Sequence, residues 1–189
     1  MNNRSGTETK KRILQVAAEV FAEYGYAEAN MRLISRSAGI SVGGLYLYFK
    51  DKEDLYLTLM NESLDYINQK TRDALKDTHD PIEAITSLIT LSVNYAKTNR
   101  ERILLQGREL GFSFGLEVKK KFFKERRRLI EEIIRDGVAK GVFRSCDPAE
   151  KAKIIFSLLR GFVVSIIIDD EALFAAEECL DLILNGLLK

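Results

Sequence analysis

Residues 31–49 read MRLISRSAGISVGGLYLYF, and this stretch contains two short helical segments separated by a tight corner. Apolar residues recur at helical spacing in residues 31–38, and Gly39 follows where a left-handed C-cap is needed. Ser41 is a suitable N-cap for a second segment, which we expect to continue through Phe49. Two helices joined in this way form a helix-turn-helix, whose second helix can enter the major groove of DNA.

The second segment has two dissimilar faces at a helical advance of about 100° per residue. We expect one arc to pack inward, and it holds Val42, Leu45, Tyr46 and Phe49. The opposite arc holds Gly43, Gly44, Leu47 and Tyr48. Because two adjacent glycines cost a helix about 2 kcal/mol relative to alanine, close approach of the backbone to a DNA groove is the reason we favour for them.

The candidate DNA-binding residues lie on and around this segment. Val42 and Leu47 can contact a thymine methyl group, whereas hydroxyl, ammonium and guanidinium groups nearby can bond phosphates. The predicted set is Asn30, Arg32, Ser41, Val42, Gly43, Gly44, Tyr46, Leu47, Tyr48 and Lys52. The alternative interpretation is an ordinary helix corner whose tyrosines are half-buried in a core.

The rest of the chain of 189 residues also favours helices, because it shows no sustained alternation of apolar and polar residues. The motifs Asp80-Pro81-Ile82-Glu83 and Asp147-Pro148-Ala149-Glu150 are typical helix starts. A first helix should end at Gly25, after residues 8–24. We therefore expect an all-α chain of about nine helices, the later ones at residues 50–76, 81–98, 100–110, 116–140, 148–168 and 171–187.

Basic and acidic residues are distributed unevenly along the chain. The net charge of +1 excludes a histone-like polybasic protein, so any contact with nucleic acid is local. Residues 1–50 carry seven basic and four acidic groups, whereas residues 51–118 carry eight basic and twelve acidic groups. We therefore predict that nucleic-acid binding belongs to residues 1–51 and that residues 52–189 have another function.

The first 60 residues resemble the N-terminal domain of TetR-family transcriptional repressors. The resemblance rests on Thr9-Lys10-Lys11-Arg12-Ile13-Leu14, Ala17-Ala18, Phe21-Ala22, Gly25-Tyr26, Ala38-Gly39-Ile40-Ser41, Gly43, Leu45-Tyr46, Tyr48-Phe49 and Lys52-Glu53-Asp54-Leu55. It implies a homodimer that binds a palindromic operator through a DNA-binding domain at residues 1–51. It also implies an effector-binding and dimerisation domain at residues 52–189, where a small molecule binds and releases the operator. Gly44 and Leu47 depart from the polar and aromatic residues frequent in the family, so the resemblance implies no operator sequence.

The two C-terminal helices carry more apolar surface than one chain can easily cover, which favours a two-fold four-helix bundle. Gly161 and Ser165 lower the surface on one side, so that a facing helix can come close. The predicted dimer interface comprises Phe156, Leu159, Val163, Ile166, Ile167, Leu173, Leu180 and Leu184. A monomeric core is the alternative.

Aromatic and polar residues among the apolar ones of the body are candidates for an effector pocket. They are Tyr66, Tyr95, Arg102, Gln106, Arg108, Phe112, Phe114, Phe122 and Phe162, although each is also compatible with plain packing. Gly107, Gly111 and Gly115 suggest a loosely held helix end that could act as a gate. The basic run at residues 119–128 is either a solvated helix face or a site for the anionic head of an effector such as an acyl-coenzyme A, with Lys121 and Arg127 as contacts.

Enzyme chemistry is poorly supported. His79 precedes a helix cap, and neither Cys146 nor Cys179 has a second histidine to form a catalytic dyad. Asp169-Asp170-Glu171 is better explained by a helix cap than by a metal site, so we expect no metal or other cofactor. We expect a cytoplasmic protein without a membrane segment, and the rival functions are a helical protein-interaction module and, more weakly, a small enzyme.

Overall fold

The computed structural model of the chain describes residues 3–100, 103–104, 114–168 and 176–188. These residues form eight helices, with one isolated β-bridge between Phe143 and Leu188, so the all-α prediction is confirmed. The helices are α1 (Asn3–Glu28), α2 (Met31–Ser37), α3 (Val42–Tyr46), α4 (Lys52–Leu75), α5 (Pro81–Thr98), α6 (Leu116–Ala139), α7 (Pro148–Ile168) and α8 (Ala176–Leu187). None of the described helices has the length and apolar character needed to cross a membrane.

Two predicted helix ends have different outcomes. The regular part of α1 ends as predicted, because Gly25 has φ 75° and interrupts the helix there. The expectation that α3 continues through Phe49 is wrong, since the helix ends at Tyr46. The amides of Tyr48 and Phe49 both donate to the oxygen of Leu45, and this tight turn brings the Phe49 ring into the core, where it is 2% exposed.

Two other predictions on helix extent fall outside the described residues. The helix expected at residues 100–110 is described only at 100 and 103–104. Residues 171–175 of the expected last helix, and the cap proposed at Asp170, also lie outside the described residues. The two aspartate–proline helix starts are confirmed, because α5 begins at Pro81 and α7 at Pro148.

The first compact unit comprises Met1–Leu64 and Leu105–Val118. Its core is formed by apolar residues of α1 to α4, and α2 packs against both α1 and α3. The largest buried side chains in it are Ile13, Phe21, Ile34, Leu45, Phe49 and Leu55.

The second compact unit comprises Asp65–Leu104 and Lys119–Lys189. Here α5 packs against α7 and α8, and the largest buried side chains are Ile85, Leu88, Ile89, Ile130, Ile134, Phe143 and Phe162. Helix α4 contributes residues to both units. The predicted boundary after residue 51 separates a DNA-binding function from an effector-binding function and does not describe the compact units. This boundary remains a prediction.

Candidate nucleic-acid interface and effector region

Local capping positions the two helices of the corner. The Asn30 side chain accepts a hydrogen bond of 3.0 Å from the Leu33 amide at the start of α2, and Ser41 Oγ accepts one of 3.0 Å from the Gly44 amide at the start of α3. Gly39 turns the chain between them with φ 65°, a backbone conformation that a side chain disfavours. Asn30 and Ser41 therefore hold the corner by capping its helices.

The exposed face of α3 is open. A Cβ built on Gly43 meets no atom within 4 Å, whereas one on Gly44 lies 3.2 Å from Ser41 Oγ. Leu47, directly after the helix, is 86% exposed. Gly43 and Leu47 thus stand free on the face that the sequence predicted to be outward.

The inward face of α3 agrees with the prediction except at Tyr46. Leu45 is fully buried, and Val42 is half-buried. Tyr46 is 50% exposed because it lies at the edge of the predicted inward arc and the helix ends there. Tyr48, expected to be outward, is half-buried. Tyr46 therefore presents its side chain to solvent more fully than Tyr48 does.

Several exposed cations belong to the same unit as the corner. Arg32 and Arg36 are exposed on α2, and Lys50 is exposed just after Phe49. The Lys10 ammonium lies 5.6 Å from the centre of the Phe49 ring, which places it beside the end of the corner. Lys10, Arg36 and Lys50 were not predicted as site residues, although their charges had marked the N-terminal segment as basic.

The Lys52 side chain has a different role from the predicted one. Its ammonium donates to the main-chain oxygens of Tyr26, Ala27 and Ala29, at 2.7, 3.2 and 2.8 Å. All three donors of the ammonium are thereby used within the protein. As placed, this side chain offers a phosphate no free donor, so the prediction that its charge contacts DNA is corrected, while its main-chain amide at the start of α4 remains in the candidate set.

Among the described residues, those predicted to bind an effector differ widely in burial. Phe162 is 1% exposed, Tyr95 and Phe122 are half-buried, and Tyr66 is 65% exposed. Tyr66 therefore faces solvent, because it lies on the outer side of α4. Phe114 belongs instead to an aromatic cluster of the first unit. The centre of its ring lies 5.7 Å from the ring centres of both Tyr26 and Tyr56. Arg102, Gln106, Arg108 and Phe112 lie outside the described residues, as do Gly107 and Gly111 of the suggested gate.

The basic run on α6 is largely engaged with other side chains. Lys121 pairs with Asp65 at 3.2 Å, and Arg128 pairs with Glu132 at 3.0 Å. Arg127 lies 5.6 Å from the centre of the Phe156 ring. Lys121 is therefore a poorer candidate for an anionic head group than the sequence suggested, and Arg127 lies on an aromatic surface.

That aromatic surface extends from α6 to α7. The rings of Phe123 and Phe156 are 5.3 Å apart, and those of Phe122 and Phe123 are 5.9 Å apart. The Arg160 guanidinium lies 5.6 Å from the Phe123 ring centre. Two guanidinium groups therefore lie beside this group of aromatic rings.

One arginine of the run, which had no predicted role, is buried. Arg126 is 4% exposed, and burial lowers its pKa to about 10. Its guanidinium donates to Thr71 Oγ1 at 2.8 Å and to Ser92 Oγ. The signal was present in the sequence, since Arg126 shares a helical face with Ile130, Ile133, Ile134 and Gly137, all of which are buried.

The predicted dimer residues belong mainly to the core of the chain itself. Phe156, Leu159 and Ile166 are 7%, 4% and 3% exposed, so their prediction as interface residues is wrong. Val163, Ile167, Leu180 and Leu184 are half-buried, and Leu173 lies outside the described residues. The apolar side chains that do face solvent on α7 and α8 are Ile154, Leu158, Val164, Ile168 and Leu182. Helix α5 of the same chain packs against α7, and three of the α7 residues that had been assigned to the interface are buried within the chain.

Comparison with known families finds two models on this chain. The model described as bacterial regulatory proteins, tetR family, matches residues 13–59, which include α2 and α3. The model described as tetracyclin repressor-like, C-terminal domain, matches residues 114–179. The two matches lie in order along the chain, one on the corner and one on the helical body.

Individual relatives agree with these models. The uncharacterized HTH-type transcriptional regulator YhgD of Bacillus subtilis (strain 168) is 27% identical over 153 residues, which are 80% of this chain and 80% of that protein. The HTH-type transcriptional repressor KstR2 of Mycolicibacterium smegmatis is 29% identical over 135 residues, 70% of this chain and 66% of that protein.

Solved structures show the same fold. The fatty acid degradation regulator FadR from Bacillus halodurans is 26% identical, with a TM-score of 0.74 over 94% of this chain and 95% of that one. FadR from Bacillus subtilis, solved in complex with stearoyl-CoA, is 23% identical, with a TM-score of 0.74 over 93% of this chain and 98% of that one.

Proposed function

The chain belongs to the TetR family, which consists of transcriptional regulators and not of enzymes, and we propose that it is a dimeric repressor that an amphipathic small molecule releases from its operator. The observation that carries the proposal is the open face of α3, with Gly43 unobstructed and Leu47 86% exposed. Exposed Arg32, Arg36 and Lys50 supply positive charge in the same unit. The match to KstR2, a repressor by name, supports repression as the direction of control.

On this proposal, α3 lies in the major groove with Gly43 against the base edges. Leu47 contacts a thymine methyl group, while Tyr46 and Arg32 bond phosphates. Because α3 presents no arginine or asparagine, bidentate hydrogen bonds to bases are few, and operator choice depends on groove shape as well as on contact.

A second copy of the chain is the proposed occupant of the apolar surface on α7 and α8. Ile154, Leu158 and Val164 line it on α7, and Leu182 is 64% exposed on α8. Gly161 is exposed, and a Cβ built there meets no atom within 4 Å, so a facing helix can approach closely. A dimer formed through this surface would carry two copies of α3, as a palindromic operator with two half-sites requires.

An acyl-coenzyme A is the proposed effector class. FadR of Bacillus subtilis, which shares this fold, was crystallised with stearoyl-CoA. In this chain Arg127 and Arg160, which lie beside the Phe156 and Phe123 rings, offer two guanidinium groups to the phosphates of the head group. The acyl chain would enter the apolar body of the second unit.

Selection of genomic fragments with the purified protein tests DNA binding. We expect enrichment of palindromic fragments, and an affinity that falls steeply with salt because several phosphates are contacted. Stearoyl-CoA added to the selected complex should release the DNA, and Arg127→Ala should weaken that release. Failure to enrich any fragment would instead favour a helical protein-interaction module.

A further inference from the structure

Arg126 is a charged side chain inside the second unit. It lies one turn before Ile130 on α6, and Ile130 is fully buried. The rest of that face of the helix is apolar and packs into the core. At 4% exposure the guanidinium has lost nearly all of its contacts with water. Neighbouring groups must therefore supply the hydrogen bonds that water would otherwise make.

The protein supplies only neutral partners among the described residues. Thr71 Oγ1 and Ser92 Oγ each accept one hydrogen bond from Arg126, whereas the guanidinium has five N–H groups to donate. Both hydroxyl groups donate a hydrogen bond to a main-chain oxygen of their own helix. Thr71 donates to Ile67 at 2.8 Å, and Ser92 donates to Leu88 at 2.7 Å. Neither hydroxyl therefore needs Arg126 as a hydrogen-bond donor.

Two acidic side chains of the same unit bind other partners. Glu125, the preceding residue, accepts a hydrogen bond of 2.7 Å from Asn68, and Asp65 pairs with Lys121. In the described part of the chain, no carboxylate lies within ion-pair distance of Arg126. Burial lowers the pKa of this arginine, which is the direction expected for a cation without a counter-charge.

A purely structural role explains this arrangement poorly. A buried charge without a counterion destabilises the folded state, and an apolar side chain would fill the same volume without that penalty. A guanidinium in such a place is suited to a planar anion, which it can bind through two parallel hydrogen bonds. The Phe122 ring, 5.9 Å from the guanidinium carbon, supplies an apolar neighbour.

We propose that Arg126, with Thr71 and Ser92 orienting it, is a buried subsite for the carboxylate of a small molecule whose apolar part lies in the core of the body. The inference rests on the part of the proposed function that places an amphipathic small molecule in the body, and it assigns that molecule a free carboxylate, which an acyl-coenzyme A thioester lacks. It differs from the contact proposed for Arg127 and Arg160, because Arg126 is buried, whereas Arg127 is half-buried and Arg160 is exposed. A carboxylate is compact, planar and matched to the guanidinium fork.

The test compares acids with alcohols of matched shape, by calorimetric titration of the full chain without DNA. The probe pairs are octanoate and octanol, dodecanoate and dodecanol, and phenylacetate and phenethyl alcohol. For at least one pair, the acid should bind wild-type protein roughly tenfold or more tightly than the alcohol. Arg126→Met should abolish that preference, and Arg126→Lys should weaken it without abolishing it.

The matched control is Arg128→Met on the same helix, because Arg128 is exposed and pairs with Glu132. This variant should keep the full preference for the acid. Equal binding of acid and alcohol in wild-type protein, or an unchanged preference in Arg126→Met, would overturn the subsite. If wild-type protein bound none of the acids, and Arg126→Met lost the binding of stearoyl-CoA, the proposal that Arg126 binds a carboxylate would be overturned.

Thermal melting of the ligand-free variants separates binding from structure. Arg126→Met should melt at the same temperature as wild type or higher, because it removes an uncompensated buried charge. A lower melting temperature, or failure to fold, would show that Arg126 holds the helices together and would overturn the proposal. Since no DNA is present, these results are independent of whether the operator-binding proposal succeeds.

Discussion

The ammonium of Lys52 lies 2.7 Å from the main-chain oxygen of Tyr26 and 4.4 Å from the centre of the Tyr26 ring. The same nitrogen also donates to the oxygens of Ala27 and Ala29. These oxygens follow the interruption of α1 at Gly25, where the chain leaves the helix. One side chain therefore ties the first turn of α4 to the end of α1, and so fixes the approach to the corner.

Replacement of Lys52 by Met should destabilise the protein by about 1–3 kcal/mol, because three hydrogen bonds from a charged donor are lost. The slope of operator affinity against salt should stay unchanged, since the ammonium does not contact a phosphate. Denaturant unfolding gives the first quantity, and fluorescence anisotropy at several salt concentrations gives the second.

Lys50→Met is the matched control, because Lys50 is an exposed cation two residues away. It should leave stability within about 0.5 kcal/mol of wild type. If Lys50 contacts a phosphate, its loss should reduce the salt slope by about 0.9. A reduced slope in Lys52→Met with unchanged stability would show that the ammonium reaches DNA.

Gly43→Ala should change stability and DNA affinity in opposite directions. The Cβ meets no atom within 4 Å in the free protein, so alanine should stabilise α3 by about 0.5–1 kcal/mol. On the operator, the added methyl group would lie between the helix backbone and the base edges, so affinity should fall. Thermal melting and anisotropy titration measure the two effects, and a variant that binds as tightly as wild type would disprove close approach at Gly43.

Leu47→Ala provides a comparison on the same face. Because Leu47 is 86% exposed, its truncation should leave stability almost unchanged. If it contacts a thymine methyl group, truncation should weaken specific binding by about 1–3 kcal/mol and affect non-specific binding much less. Equal losses on operator and random DNA would argue against a base contact.

Local chemistry explains why so much of the corner was predictable. The Asn30 and Ser41 side chains, which cap α2 and α3, each accept a hydrogen bond from the amide three residues later in the chain. Asp80 and Asp147 each accept one from the amide two residues later. Such contacts are specified by neighbouring residues in the sequence. The end of α3 was missed because it depends on Phe49 reaching the core, which is a tertiary effect.

The effector region shows the opposite case. Helical periodicity places Arg126 on an inward face, but its partners Thr71 and Ser92 lie 55 and 34 residues away in the chain. Likewise, the apolar character of α7 follows from its sequence, whereas the packing of α5 against α7 is a tertiary contact. The sequence therefore predicted that a surface was apolar without predicting which neighbour buries it.

Leu158→Glu should convert a dimer into monomers if the exposed surface of α7 is the subunit interface. A carboxylate there would be buried without a partner on association, which is strongly unfavourable. Light scattering coupled to size-exclusion chromatography reads the mass directly. Tyr66→Glu is the control, since Tyr66 is 65% exposed on α4 and its replacement should leave the mass unchanged. A Leu158→Glu variant with the mass of wild type would exclude this surface.

The two cysteines should react with a thiol reagent at very different rates. Burial raises the pKa of the Cys179 thiol and leaves the residue 5% exposed, so at about pH 8 it forms little thiolate and is poorly accessible. Cys146 is half-buried and should be labelled first. Cys146→Ser should therefore show slow labelling that becomes fast in denaturant, and Cys179→Ser should keep the fast phase. Rapid labelling of folded Cys146→Ser would show that the core around α8 opens readily, because thiolate attack requires both deprotonation and access.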